Sequence, residues 1–159
     1  MSIEIAREYL KKYHLEDRIQ EFDVSSATVE LAAEALHVIP ARIAKSLSFK
    51  KEDHALIVVA AGDAKVDNRK FKDAFSMKAK MLTPEEVLEL TNHAVGGVCP
   101  FGTPDSAEVY LDDSMKRFET MFPAAGSSNS AIELSLDELY EASGAKGWVD
   151  VCKNWEAEN

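Results

Sequence analysis

The chain has 159 residues, 46% of them hydrophobic, with a formal net charge of −10. That length and apolar content predict one domain over residues 1–159 with a single buried core, and exclude a disordered chain. The acidic balance argues against general nucleic-acid affinity, DNA included. No apolar run is long enough to cross a membrane, and Cys99 and Cys152 make no disulfide framework, so a cytoplasmic protein with reduced thiols is expected.

The amino terminus, Met1 to Glu8, is charged and amphipathic and has no signal-peptide core. Ile3, Ala6, Tyr9, Leu10 and Tyr13 fall at helical spacing over residues 3–13. The polar stretch Ser25-Ser26-Ala27-Thr28 supplies a cap for a helix from Val29 to Leu36. Pro40 opens a turn that feeds Lys45. Ser46 to Phe49 and Ala55 to Ala61 read as strands joined by the charged hairpin Lys50-Lys51-Glu52-Asp53. The unbroken apolar run Leu56 to Ala60 predicts a central strand.

Asp67 to Phe75 reads as a helix with Phe71 and Phe75 at i, i+4. Thr83-Pro84-Glu85-Glu86 is a capping box with proline at the first helical position, starting a helix that runs to about Thr91. A glycine-opened loop, Gly96 to Gly102, follows. Val109 to Leu111 is a strand, Asp113 to Phe118 a short helix and Ala131 to Leu134 a strand. Ser135-Leu136-Asp137-Glu138 repeats the capping box and starts a helix through Tyr140. Trp148 to Cys152 either closes a sheet or packs as a tail, and Glu156 to Asn159 are expected to fray. This irregular alternation predicts an α/β chain of the α+β type, one mixed sheet with helices around it.

Two segments stand out chemically. Ile43 to Phe49 places Lys45 at the mouth of a strand, with Lys45 and Leu47 on one face and Ser46 and Ser48 on the other. The residues alone leave two readings of Lys45: a partly buried cation that needs an anionic partner, or a side chain snorkelling at a strand end. Gly96-Gly97-Val98-Cys99-Pro100 is stiff past its glycines and carries little side chain. Its amides can cradle a carbonyl oxygen, carboxylate or phosphate, or the glycines can simply make a tight turn. Neither nucleotide-binding glycine spacing is present, so no cofactor is expected.

Cys99, with His93 six residues earlier, can be read as a nucleophile or as a buried structural thiol, the commoner case. His14, His37, His54 and His93 show no ligand spacing, and no metal is expected. Gly126-Ser127-Ser128-Asn129-Ser130 is a polar turn able to bond a ligand or its own backbone. Residues 42–80 hold ten of the 18 basic residues but five of the 28 acidic ones. That allows a local basic face suited to a small piece of polyanion, against a reading as ordinary solvated charge.

At these residues the chain resembles the YbaK/aminoacyl-tRNA deacylase family, which includes the editing domain inserted in bacterial prolyl-tRNA synthetases. The resemblance spans roughly residues 25–145. It is carried by Thr28 to Leu36, Ile43 to Phe49, Val58 to Asp63 with Val66-Asp67, the G-x-x-x-P loop Gly96 to Pro100, Gly126, Ile132-Glu133-Leu134 and Asp137-Glu138-Leu139. It implies a compact, barrel-like mixed sheet wrapped by helices. It also implies hydrolysis in trans of tRNA mischarged with a small amino acid such as alanine or cysteine, on proline tRNA.

The family's lysine falls on Lys45 and its loop on Gly96, Gly97, Val98, Cys99 and Pro100. Ser46, Gly126, Ser128 and Asn129 are the implied substrate contacts. Two departures stand out: Cys99 where relatives often carry serine, and Ser128-Asn129 where some place arginine or histidine. The implied partners are the acceptor end of an aminoacyl-tRNA and a synthetase, with no DNA and no membrane. The competing expectation is a non-catalytic module on the same fold that binds aminoacyl-tRNA or a synthetase. A Cys99-dependent thiol hydrolase ranks below both.

Overall fold

The computed structural model describes residues 2–155; the expected fraying of Glu156 to Asn159 lies outside them. Helix α1 (Ser2–Leu10) runs into a 3-10 turn that His14 ends in the left-handed conformation. Strand β1 (Gln20–Glu21) precedes α2 (Val29–Leu36), where Thr28 accepts from the Leu31 amide as expected of a cap. Strands β2 (Ile43–Lys51) and β3 (His54–Ala61) form the hairpin, with Lys45 opposite Ala60. β4 (Lys65–Val66) and α3 (Asn68–Phe75) follow, the latter capped by Asp67. Then come α4 (Pro84–Thr91), β5 (Glu108–Asp112), β6 (Thr120–Pro123), β7 (Ser130–Ala131), β8 (Leu134–Ser135), α5 (Leu136–Ser143), β9 (Trp148–Val149) and β10 (Cys152–Lys153). Both capping boxes form, at Thr83/Glu86 and Ser135/Glu138.

The main sheet has six strands in the order β8-β6-β2-β3-β5-β9. The β2–β3 and β6–β8 pairs are antiparallel, and β2–β6, β3–β5 and β5–β9 are parallel. The result is the expected mixed α/β fold, its sheet curled into a half-barrel with helices around it. β3 is central, and Ala55 to Ala61 are all fully buried. Its alternating side chains feed two cores. Ile57, Val59 and Ala61 join α1, α4 and α5 residues, whereas Leu56, Val58 and Ala60 pack with Phe49, Phe71 and Val151. A third, small cluster packs Ala32 and Ala33 of α2 on Ile43 and Phe122.

Two expectations shift, and one strand was not expected. The Ala131–Leu134 strand is instead two short strands. β7 pairs with β1 and β8 with β6, so the chain changes sheet at Ile132-Glu133. Trp148 to Cys152 likewise splits, β9 closing the main sheet and β10 pairing with β4. β6 has no clear signal in the sequence: it is four residues long and ends in Pro123, and only its neighbours make it a strand.

Candidate active site

A cavity of about 400 Å³ opens between β2, the first turns of α2 and α4, and the glycine loop. Alternation along β2 sets its floor. Ala44, Ser46 and Ser48 face the α1/α4/α5 side, and all three line the cavity. The Ser46 hydroxyl oxygen is buried with no hydrogen-bond partner, an uncompensated polar atom beside the space a ligand would fill. Apolar lining comes from Val29, Ala32, Ile43, Leu82, Val87 and Phe122. Thr28, the cap of α2, and Pro84, the first residue of α4, both line it, so two positive helix ends lie against one cavity.

Lys45 also reaches the lining. It is neither a free snorkelling side chain nor one paired to a carboxylate. Its ammonium donates to the carbonyl oxygens of Gly62, at 3.3 Å, and Ala64, in the turn after β3. Burial pushes its pKa below the ordinary lysine value, while Asp63 and Glu30 oppose the shift. Gly62 permits this arrangement, because a Cβ there would lie 2.1 Å from the Pro40 carbonyl oxygen.

The glycine loop divides into two roles. Gly96 adopts φ +95°, which side-chain-bearing residues rarely reach. Gly97 has no such backbone demand; its constraint is clearance. A Cβ on Gly97 would lie 2.9 Å from Ser127 Cα and 3.0 Å from the Gly126 carbonyl. Its amide is already spent on the Ala94 carbonyl, at 2.9 Å, which removes it as a substrate donor. The amides of Gly96, Val98 and Cys99 donate to no acceptor among the described residues. Gly96 and Val98 line the cavity; Gly97, Cys99 and Pro100 are buried behind it.

Cys99 is fully buried, its sulfur 3.5 Å from His93 Nε2. That nitrogen also lies 2.7 Å from the Phe101 carbonyl oxygen. A carbonyl only accepts, so Nε2 carries the proton and cannot take one from the thiol. Burial raises the Cys99 pKa to about 12. The Cys–His pair exists, yet it has no base facing the sulfur and no access to the cavity.

Gly126, Ser128 and Asn129 lie off the lining and act as scaffold. The Ser128 carbonyl accepts from the Ser26 amide at 2.6 Å. Asn129 closes a reciprocal pair with Phe22, through its carbonyl (2.8 Å) and its side-chain amide (3.0 Å). The turn thereby holds segment 22–26 in place, and Ser26 of that segment lines the cavity. Sequence reasoning missed Ser26, Thr28, Val29, Pro84, Val87, Phe122 and Ser130 as lining. The two capping motifs were the available signal, but their convergence on one cavity is tertiary.

Among the described residues no cluster of histidine, cysteine or carboxylate side chains is placed to hold a metal. The arrangement instead offers free backbone amides, an unpartnered hydroxyl and helix N-termini around a small apolar space, a set suited to an electron-rich oxygen on a small substrate.

A family model described as the aminoacyl-tRNA editing domain matches residues 23–142, a span that contains every lining residue named above. The chain belongs to this family. The editing domain is 56% identical to the uncharacterized protein YwhH of Bacillus subtilis, over 98% of this chain and all of that one. It is 33% identical to the proline–tRNA ligase of a Geobacillus species over 56% of this chain, a stretch that makes up 16% of the ligase. A crystal structure of a candidate trans-editing enzyme for prolyl-tRNA synthetase superposes with a TM-score of 0.85 at 28% identity, covering 96% of this chain and 97% of that one.

Proposed function

We propose that this editing domain is a deacylase acting in trans, in the cytoplasm, on proline tRNA mischarged with a small amino acid, alanine or cysteine. The observation that carries this reading is the composition of the cavity wall. Among the described residues, Lys45 is the only titratable side chain that lines it. A reaction run there must need little side-chain acid–base chemistry, and aminoacyl ester hydrolysis is such a reaction. The ester is already activated, and the neighbouring ribose hydroxyl can position water. The protein's share is to hold the ester and stabilise the oxyanion.

The free amides of Gly96 and Val98 are the donors for that oxygen. The buried Ser46 hydroxyl donates to the aminoacyl group or its carbonyl. Lys45, held by Gly62 and Ala64, fixes the cation at the cavity and attracts the phosphate of the terminal nucleotide. Gly97, Cys99 and Pro100 set the loop's path, and Gly126, Ser128 and Asn129 support it. A cavity at the low end of ligand-pocket sizes favours small amino acids by sterics. Separating alanine from cysteine is harder, since one small group is worth about 1–3 kcal/mol. The similarity to a proline–tRNA ligase supports proline tRNA as the carrier and a prolyl-tRNA synthetase as a partner.

The test is a deacylation panel with purified protein and proline tRNA charged with alanine, cysteine, serine or proline. Hydrolysis of the alanyl or cysteinyl ester with proline spared is the expected result. Tight binding of every charged tRNA with no hydrolysis would instead make the domain a non-catalytic recognition module.

A further inference from the structure

β4 and β10 pair so that Lys65 stands directly opposite Lys153. Like charges in that register repel. Both side chains are exposed, and neither is in an ion pair among the described residues. Of the nearby acids, Asp63 is bidentate on Arg117 and Asp150 pairs with Lys70, while Asp67 caps α3 through the Arg69 and Lys70 amides and its charge also reaches Lys153 without an ion pair. Arg69 and Lys72, one turn apart on α3, the helix that follows β4, are exposed too.

This positive strip begins beside Lys45, which lines the cavity, although none of its own side chains does. Lys65 follows Ala64, whose carbonyl holds Lys45, and it lies close enough to repel the Lys45 charge. The rest of the chain is acidic, so a polyanion approaching at random is repelled. A local run of unpaired cations beside the cavity is the place where it can approach.

We propose that Lys65, Lys153 and Arg69 form a docking surface for backbone phosphates of the tRNA acceptor stem, which delivers the aminoacyl end into the adjacent cavity. This rests on the reading of the substrate as an aminoacyl-tRNA. Its cations are exposed and spread over β4, α3 and β10, so it fits successive phosphates along a helix better than a single small anion.

The experiment measures binding of an uncharged proline-tRNA transcript across a salt series, alongside single-turnover deacylation. The variants are Lys65→Glu/Lys153→Glu, the milder Lys65→Gln/Lys153→Gln, and Lys11→Glu/Lys12→Glu in the 3-10 turn after α1 as a control of equal charge change. Thermal melts accompany each. The strip variants should lose about tenfold or more in affinity, and the slope of log affinity against log salt should fall by about two in the neutral variant. The maximal single-turnover rate should stay near wild type at saturating tRNA.

Wild-type affinity and slope in the folded glutamine variant would overturn the surface, as would an equal loss in the remote control. The two proposals fail separately. If the protein binds tRNA through the strip but hydrolyses no ester, the deacylase reading falls and the surface stands. If it hydrolyses the ester and the strip variants bind normally, the surface falls and the deacylase stands.

Discussion

The loop Gly96–Pro100 and the turn Gly126–Ser130 lie back to back, and they use their polar groups differently. In the turn the side chains of Ser127 and Asn129 and the carbonyls of Ser128 and Asn129 are all engaged. Ser127 Oγ donates to Asn129 Oδ1 and accepts from the Ser130 hydroxyl, Asn129 closes on Phe22, and Ser128 holds Ser26. In the loop the amides of Gly96, Val98 and Cys99 are left without a partner among the described residues. A segment braced through its side chains thus supports one whose amide donors stay available, the preorganisation that the proposed reaction needs from a wall with so few reactive side chains.

The largest expected effect comes from forcing the two segments apart. Gly97→Val places a branched side chain within 3.0 Å of the Gly126 and Ser127 backbone, and neither backbone can yield as a flexible side chain would. Single-turnover deacylation should fall roughly a hundredfold or more, the scale of about 2.7–4 kcal/mol for a lost oxyanion donor. Overpacking should also lower stability by about 1–3 kcal/mol. Wild-type hydrolysis in a folded Gly97→Val protein would mean the contact between the segments does not organise the site.

Lys45→Ala should come next, with deacylation reduced about tenfold to a hundredfold, because charge-assisted hydrogen bonds are worth about 1.5–3 kcal/mol. Its ammonium also ties down the turn after β3 through Gly62 and Ala64, so a small drop in melting temperature is expected as well. If the rate is unchanged while the melt drops, Lys45 belongs to the scaffold like the 126–130 turn.

Asn129→Ala removes the side-chain bond to the Phe22 carbonyl and leaves that oxygen short of a partner. About 1 kcal/mol of stability should be lost. Deacylation should weaken only a few-fold, through a raised KM, as the Ser26 segment loosens. A hundredfold loss of kcat with little change in KM would move Asn129 from the supporting group to the reacting one.

The smallest effect on activity is expected for Cys99→Ser. The thiol is buried, off the cavity, and faces an N–H, so deacylation should stay within about threefold of wild type, read by single-turnover assay with mass spectrometry for any acyl-enzyme. The same variant sharpens a pH prediction. Burial holds Cys99 and Cys152 at about 12, above the ordinary thiol value of 9.0. The unfolded chain releases those protons first. Their stabilisation is therefore full below about pH 9 and is lost as pH rises toward 12. Lys45 works the other way, since its folded value is lowered from 10.5 and the unfolded chain keeps its proton longer. Melting curves from pH 8 to 11 should show a shallower alkaline loss in Cys99→Ser than in wild type.

Much of the fold was readable because its signals are local. The capping boxes at Thr83 and Ser135, the Asp67 start of α3 and the apolar run of β3 each depend on residues within a few positions. The alternation of β2 correctly separated Lys45 from Ser46 and Ser48, since the period of a strand is set by its backbone. Charge counting alone located the basic segment.

The rest needed the tertiary structure, for one physical reason: it depends on which distant atoms share a space. β6, β7 and β10 exist only because neighbouring strands satisfy their backbones. Sequence named Gly97 as an exposed amide donor, but the Ala94 carbonyl takes that amide and the Gly126-Ser127 backbone takes the space above it. Cys99 and His93 were visible as a pair of reactive residue types. Burial and the direction of one proton decided that they are structural. The sequence by itself determined the longer helices, the central hairpin, the family pattern and where along the chain the cations cluster. Packing determined which amides remain free, which lysine faces carbonyls, and that two helix ends converge on one small cavity.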